Sequence, residues 1–159
     1  MDKIIEDSIT LLKSIRNYEG DELKIIKIEA WEMMDKDIII RVNNSIIQME
    51  AEGCIDFIII IYNTRIDINK LLKQLKSTYF SKVFLYKELI VCPIRNSLVP
   101  KHELSSKKEV TEKFRIQRFS TLPKINMKDI ISRWYGWEHG SIIKIYRSDE
   151  TIYYRIVVE

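Results

Sequence analysis

The chain has 159 residues, 46% of them hydrophobic and 31% charged, with only four glycines and three prolines; this composition fits a globular protein of one ordinary domain or two small ones and excludes long flexible linkers. The formal charge of +3 is unevenly placed, residues 1–80 carrying 11 Lys/Arg against 14 Asp/Glu and residues 81–159 carrying 15 against 9, so the second half suits an acidic partner or a phosphate backbone. Two cysteines, Cys54 and Cys92, and two isolated histidines, His102 and His139, exclude a disulfide framework and a zinc site, and with no signal segment or bilayer-length apolar run the expected setting is inside the cell.

Residues 2–18 read as an amphipathic helix, because Ile5, Ile9, Leu12 and Ile15 recur at helical spacing between charged residues. Asn17-Tyr18-Glu19-Gly20 reads as its stop. Strands are expected over 23–31 and 37–42, with a polar turn between them. Residues 55–62, Ile-Asp-Phe-Ile-Ile-Ile-Ile-Tyr, form a nearly unbroken apolar run of the kind a strand covered on both faces shows. Ile68, Leu71, Leu72 and Leu75 mark one face of a helix, and a further strand is expected over 82–86. Strand, helix, strand over so few residues predicts a parallel βαβ unit with a right-handed crossover. Another strand is expected over 89–92, ending at Pro93.

After Pro93 the pattern changes. Residues 98–102 are expected to be extended, since Val99 precedes a proline. Ser106 and Glu109 form a capping box for a helix through Ile116. Asp129 is placed to cap a helix over 130–135 that Gly136 ends. Strands over 141–147 and 151–158, joined by Ser148-Asp149-Glu150, predict a closing hairpin.

These last segments carry a family resemblance. Leu98-Val99-Pro100-Lys101-His102, Leu122-Pro123-Lys124-Ile125, Asp129-Ile130-Ile131-Ser132-Arg133-Trp134-Tyr135-Gly136, Gly140 through Arg147, Asp149-Glu150-Thr151 and Tyr154-Arg155 are collinear. Together they resemble the C-terminal domain of the fifth-largest subunit of eukaryotic-type DNA-directed RNA polymerases, shared by polymerases I, II and III, and of its smaller archaeal counterpart. Ile130 stands where the family usually has proline, and the hairpin after Thr151 is shorter than usual.

The resemblance implies an α+β protein: a reduced restriction-endonuclease-like α/β jaw domain over residues 1–94, then a small mixed α/β assembly domain with a closing hairpin over 95–159. It implies a non-catalytic subunit that docks on the largest polymerase subunit, contacts other polymerase subunits and helps form the jaw near downstream duplex DNA. It needs no cofactor, metal, membrane or small-molecule substrate. Lys144, Arg147, Glu150, Thr151, Tyr154 and Arg155 would carry the partner contact. Thr64, Arg65 and Asn69 fall where the family approaches DNA. The short jaw and the isoleucine-, lysine- and asparagine-rich composition suggest a polymerase encoded by a large DNA virus, placing the chain in virions and host cytoplasm; a cellular member would be nuclear.

Two other readings compete on the residues themselves. A nuclease on such a scaffold needs two carboxylates and a lysine converging on a metal; Asp56 and Lys82 are present, but the strand at 82–86 offers no second carboxylate. A free-standing nucleic-acid-binding module could stack bases on Trp134, Tyr135 and Trp137 beside Arg133 and Lys128. The spacing of Ile130, Ile131 and Trp134 instead puts them on one helical face, as a small core requires.

Overall fold

A computed structural model of the chain describes residues 1–18 and 23–159. In chain order the first part contains α1 (Asp2–Ile15), β1 (Lys24–Glu29), α2 (Asp35–Ala51), β2 (Phe57–Tyr62), α3 (Ile68–Leu72), β3 (Val83–Leu85) and α4 (Tyr86–Ile90). The three strands form a parallel sheet in the order β1-β2-β3, with Ile26 opposite Ile59 and Ile59 opposite Val83. Every residue of β2 is buried, each side chain worth roughly 1.5–3 kcal/mol relative to exposure. Alternate residues serve opposite faces. Phe57, Ile59 and Ile61 meet Ile38, Val42, Ile46 and Met49 of α2 and Leu71 of α3. Ile58, Ile60 and Tyr62 meet Ile5 and Leu12 of α1 and Leu89 of α4.

Two expected strands are helices. Residues 37–42 lie inside α2, and residues 89–92 contain the end of α4. The six-residue window at 37–42 shows only an isoleucine run; over the longer segment the buried positions are Ile38, Val42, Ile46 and Met49, a helical spacing. Topology also requires it, because β1 and β2 are parallel and their connection must cross over the sheet. Asp35 and Asp37 occupy the first turn of α2, where the helix dipole favours acids. At the start of α4, the Glu88 carboxylate accepts the Leu85 amide at 2.9 Å and turns the chain from β3 into a helix. The stop expected at residues 17–20 is seen only in part: Asn17 is left-handed at φ 57, while Glu19 and Gly20 lie outside the described residues. Asp56, expected within the central strand, immediately precedes it, and neither Cys54 nor Cys92 lies in a strand.

The second part contains β4 (Lys101–Ser105), α5 (Lys107–Phe114), β5 (Lys124–Asn126), α6 (Ile130–Tyr135), β6 (Ile142–Tyr146) and β7 (Ile152–Val158). The sheet runs β4-β6-β7-β5, antiparallel except for the parallel β5–β7 pair. Ser106 caps α5, its Oγ accepting the Glu109 amide at 3.1 Å; the Glu109 carboxylate is used elsewhere, so the box is half made. Asp129 accepts the Ile131 amide at 2.9 Å, and Gly136 ends α6 at φ 69. β4 and β5 form the two edges of this sheet; their lysine-, glutamate- and asparagine-containing sequences give little strand signal alone. The whole is a mixed α+β fold of two sheets and, among the described residues, six α-helices.

The two sheets touch. Leu72 and Phe80 from the first part pack with Ile125, Ile131, Ile143, Ile145 and Val157 from the second, and Trp134 of α6 is wholly buried among Ile5, Leu12, Ile58 and Phe84.

Candidate assembly surface

The β6–β7 turn is built by its own side chains. The Arg147 amide donates to the Thr151 carbonyl at 2.9 Å, and the Glu150 amide donates back to the Arg147 carbonyl at 3.1 Å. Glu150 is left-handed at φ 66, the conformation that closes a three-residue hairpin loop. Asp149 Oδ1 accepts from both the hydroxyl (2.5 Å) and the amide (3.1 Å) of Thr151, and these bonds, the hydroxyl first, hold its carboxyl below the usual range. Glu150 and Thr151 are exposed at the tip.

The strands then divide the remaining four expected contact residues between two faces. Lys144 pairs across the ladder with Tyr154, and Ile143 with Arg155; neighbouring residues on a strand point to opposite sides. On the α5 face, Lys144 Nζ donates to Glu109 Oε1 at 2.9 Å and the Tyr154 hydroxyl donates to the same oxygen at 3.1 Å. The Ser105 hydroxyl also donates to Glu109. These bonds, Ser105 first and then Lys144, bring the Glu109 carboxyl down to about 2, and the Glu109 bond raises Lys144 in return. Tyr154 is buried, with its ring edge-on to Phe114 at 5.5 Å. It is part of this chain's interior.

On the other face, the Arg147 guanidinium lies 3.5 Å over the Tyr153 ring, a cation–π arrangement. Arg147, Arg155, Tyr153, His102, Val99 and Pro100 border a recess of about 260 Å³. Neither arginine has a carboxylate partner among the described residues. Burial lowers the pKa of His102, and the Tyr153 hydroxyl is buried with no partner among the described residues. The six expected contact residues therefore share one hairpin but not one patch.

Thr64, Arg65 and Asn69 are all exposed at the end of the parallel sheet. The buried Asn63 shapes that turn: its amide donates to the Ala30 carbonyl at 2.5 Å, and its Oδ1 accepts the Arg65 and Ile66 amides at 2.7 and 2.9 Å. Lys87 Nζ reaches the Thr64 carbonyl at 3.3 Å. Asp56 lies at the opposite end of β2, where its carbonyl accepts the Lys24 amide. Burial lowers the pKa of Lys82 while Asp56 opposes that shift. Among the described residues, no three His, Cys, Asp or Glu side chains converge as a metal site would require.

The aromatic candidates for base stacking pack inward. Trp134 and Trp137 are buried, and Tyr135 stacks on Trp137 at 4.8 Å. Lys128 Nζ lies 5.3 Å over the Phe80 ring. Arg133, which the base-stacking alternative would need at the surface, is 1% exposed. It grips Glu88 with two bonds of 2.6 and 2.9 Å, a bidentate pair. The sequence places Arg133 next to the buried side of α6 but carries no signal for a partner 45 residues away.

With this geometry in view, comparison with known proteins is informative. Residues 92–157 match the family described as RNA polymerase Rpb5, C-terminal domain, which spans the second sheet together with α5 and α6. The chain is 42% identical over 67 residues to the DNA-directed RNA polymerase subunit Rpo5 of Archaeoglobus fulgidus, covering 38% of this chain and 88% of that one. It is 38% identical over 78 residues to the Dictyostelium discoideum subunit rpabc1 of DNA-directed RNA polymerases I, II and III, covering 45% and 39%. Against the Arabidopsis thaliana subunit 5B of DNA-directed RNA polymerases IV and V it is 29% identical over 130 residues, covering 79% and 54%. That last match exceeds what residues 92–159 could supply, so the likeness extends into the first sheet. The chain spans between 39% and 54% of the length of these eukaryotic relatives.

Proposed function

The chain belongs to the fifth-subunit family of DNA-directed RNA polymerases, and on that premise we propose that it is a non-catalytic, architectural subunit of a multisubunit RNA polymerase. The observation that carries this reading is the coincidence of the family match with a complete structural unit: residues 92–157 take in both edges of the second sheet, both of its helices and the closing hairpin. Residues 95–159 would be the assembly domain and residues 1–94 a reduced jaw. The partner is the largest polymerase subunit, met by the hairpin tip at Glu150 and Thr151 and by Arg147 and Arg155. Lys144 and Tyr154 act by holding the hairpin against Glu109 and α5. Two guanidinium groups without an ion-pair partner among the described residues, bordering a mixed recess that also holds Asp129, suit an acidic partner surface.

The exposed turn at Thr64, Arg65 and Asn69 is the part of the jaw we place nearest downstream DNA. DNA binding by the isolated chain would then be weak, non-specific and salt-sensitive, since Arg65 is the one cation of the three and few phosphate contacts release few counterions. The isoleucine-, lysine- and asparagine-rich composition supports a polymerase such as a large DNA virus would encode. The subunit travels with its polymerase wherever transcription occurs.

Purification of the tagged chain from its native host, followed by mass spectrometry, tests the reading. Large catalytic subunits should be recovered in stoichiometric amounts, and Arg147→Ala should reduce that recovery. Recovery of the chain alone, together with a sequence-specific DNA site at physiological salt, would favour a free-standing nucleic-acid-binding module instead.

A further inference from the structure

We infer that Arg133 and Arg16 form a reciprocal latch that makes the two sheets one rigid, co-folding body, with α6 as the seat on which the first sheet rests. Each arginine belongs to one unit and spends its described hydrogen bonds on the other, or on the seam between them. Arg133, on α6, donates through Nε to the Phe80 carbonyl at 3.0 Å, through both terminal nitrogens to Glu88, and to the Val83 carbonyl. All four acceptors lie between the end of the crossover and α4. Arg16, just past α1, donates through Nε to the Trp134 carbonyl at 2.9 Å and through one terminal nitrogen to the carbonyls of Arg133 and Ser81, the latter at 2.7 Å.

The chemistry explains why both arginines can be tolerated there. Among the described ion pairs the Glu88 carboxylate goes to Arg133, while Asp56 acts on Arg16 only electrostatically, without an ion-pair contact. Arg16 is balanced instead by the last carbonyls of α6, which carry partial negative charge and have no partner within the helix. Glu88 is itself fixed, since Oε2 also accepts the Leu85 amide that starts α4. Gly136 makes room: a Cβ there would stand 3.4 Å from Arg16 Cζ and Nε, at a φ of +69 that already disfavours any side chain. Trp134, one residue from Arg133, closes the contact edge-on to Phe84 at 6.1 Å. The archaeal relative has 88% of its length within the matched 67 residues, leaving little chain to supply counterparts of Arg16, Phe80, Val83 and Glu88. The latch is therefore a feature of the longer chain, and it sets the orientation of the first sheet whether or not a polymerase is present.

Hydrogen exchange on the full chain tests this without reference to transcription. Arg133→Met, which keeps the bulk and removes the fork, should raise exchange by about tenfold in β3 and α4 as well as in α6. Arg16→Met should raise it in α6 and β6 by a comparable factor. Should either methionine variant fail to fold, Arg133→Lys and Arg16→Lys retain the charge, and should still loosen the opposite unit. Calorimetry of the unmodified chain should show one unfolding transition. Exchange increases confined to the element carrying the substitution, or two separate transitions in the unmodified chain, would overturn the latch.

Discussion

The junction between the sheets and the α5 face of the last hairpin each carry a carboxylate–cation pair, and the two are built for different purposes. At the junction, the Arg133 and Glu88 side chains are 1% and 16% exposed; at the hairpin, Lys144 and Glu109 are 21% and 38% exposed. Arg133 spends its donors on Glu88 and two backbone carbonyls of the facing unit, so the pair is desolvated and hydrogen-bonded together. Glu109 gathers a serine, a lysine and the buried Tyr154 while its own carboxylate stays accessible to water. The first arrangement can hold a chain in one shape. The second leaves its neighbours Arg147, Glu150, Thr151 and Arg155 within reach of something else.

The sharpest way to break that contrast is Glu88→Gln. It keeps the shape of the side chain but leaves Arg133 buried with its charge uncompensated, which for a buried pair costs about 3–5 kcal/mol. Denaturant unfolding of the full chain should show a loss of that size. Lys144→Ala should cost far less, as exposed pairs generally do. Equal losses for the two variants would mean that the junction is no more than another surface pair.

A second variant sharpens the hairpin side. Tyr154 was expected to touch a partner, but its ring is buried in this chain under α5. Tyr154→Ala should therefore destabilise the free chain by about 3 kcal/mol, as large-to-small changes of buried aromatic residues do. Tyr154→Phe, which loses only the hydroxyl bond to Glu109, should cost about 1 kcal/mol. Thermal unfolding of both proteins checks this. If Tyr154→Ala leaves stability unchanged but abolishes recovery with a polymerase, the ring faces the partner after all.

How much of this was legible in the sequence depended on where each residue's partner lay. The Ser106 and Asp129 caps, the Gly136 stop, the closing hairpin and all but the first two residues of the apolar run at 55–62 are local chemistry, and they appear where the residues indicate. Residues 37–42 and 89–92 are short isoleucine- and leucine-rich windows that fit either period; crossover topology and Glu88 decide for helix. Edge strands with one wet side carry few apolar residues, so β5 has no signal in the sequence and β4 shares only residues 101–102 with the extended segment expected over 98–102. Of the candidate contact residues, the alternation along β6 and β7 could have separated Lys144 and Tyr154 from Arg155, since it is fixed once the hairpin is fixed. The junction could not be read at all: Arg16, Glu88 and Arg133 are brought together by both sheets folding, and nothing local announces that Arg133 is buried against Glu88.

The smallest effect expected concerns the Glu109 cluster and acid. The Ser105, Lys144 and Tyr154 bonds hold its folded-state carboxyl at about 2, against an ordinary value of 4.5. A carboxyl depressed by folding contributes stability above its unfolded pKa and loses it as pH falls through the folded value. The attachment of α5 to the hairpin should thus be intact above about pH 4.5 and released progressively toward pH 2. Because Glu109 is solvent-accessible, salt should weaken the effect, and the release should be local to α5, β6 and β7. Carboxyl carbon NMR of Glu109 reads the titration directly, and Ser105→Ala should move it back toward the ordinary range by removing the largest contributor. A Glu109 that titrates at its ordinary value in the unmodified chain would mean that water, not Ser105 and Lys144, solvates the carboxylate, and the hairpin would then need another means of staying on α5.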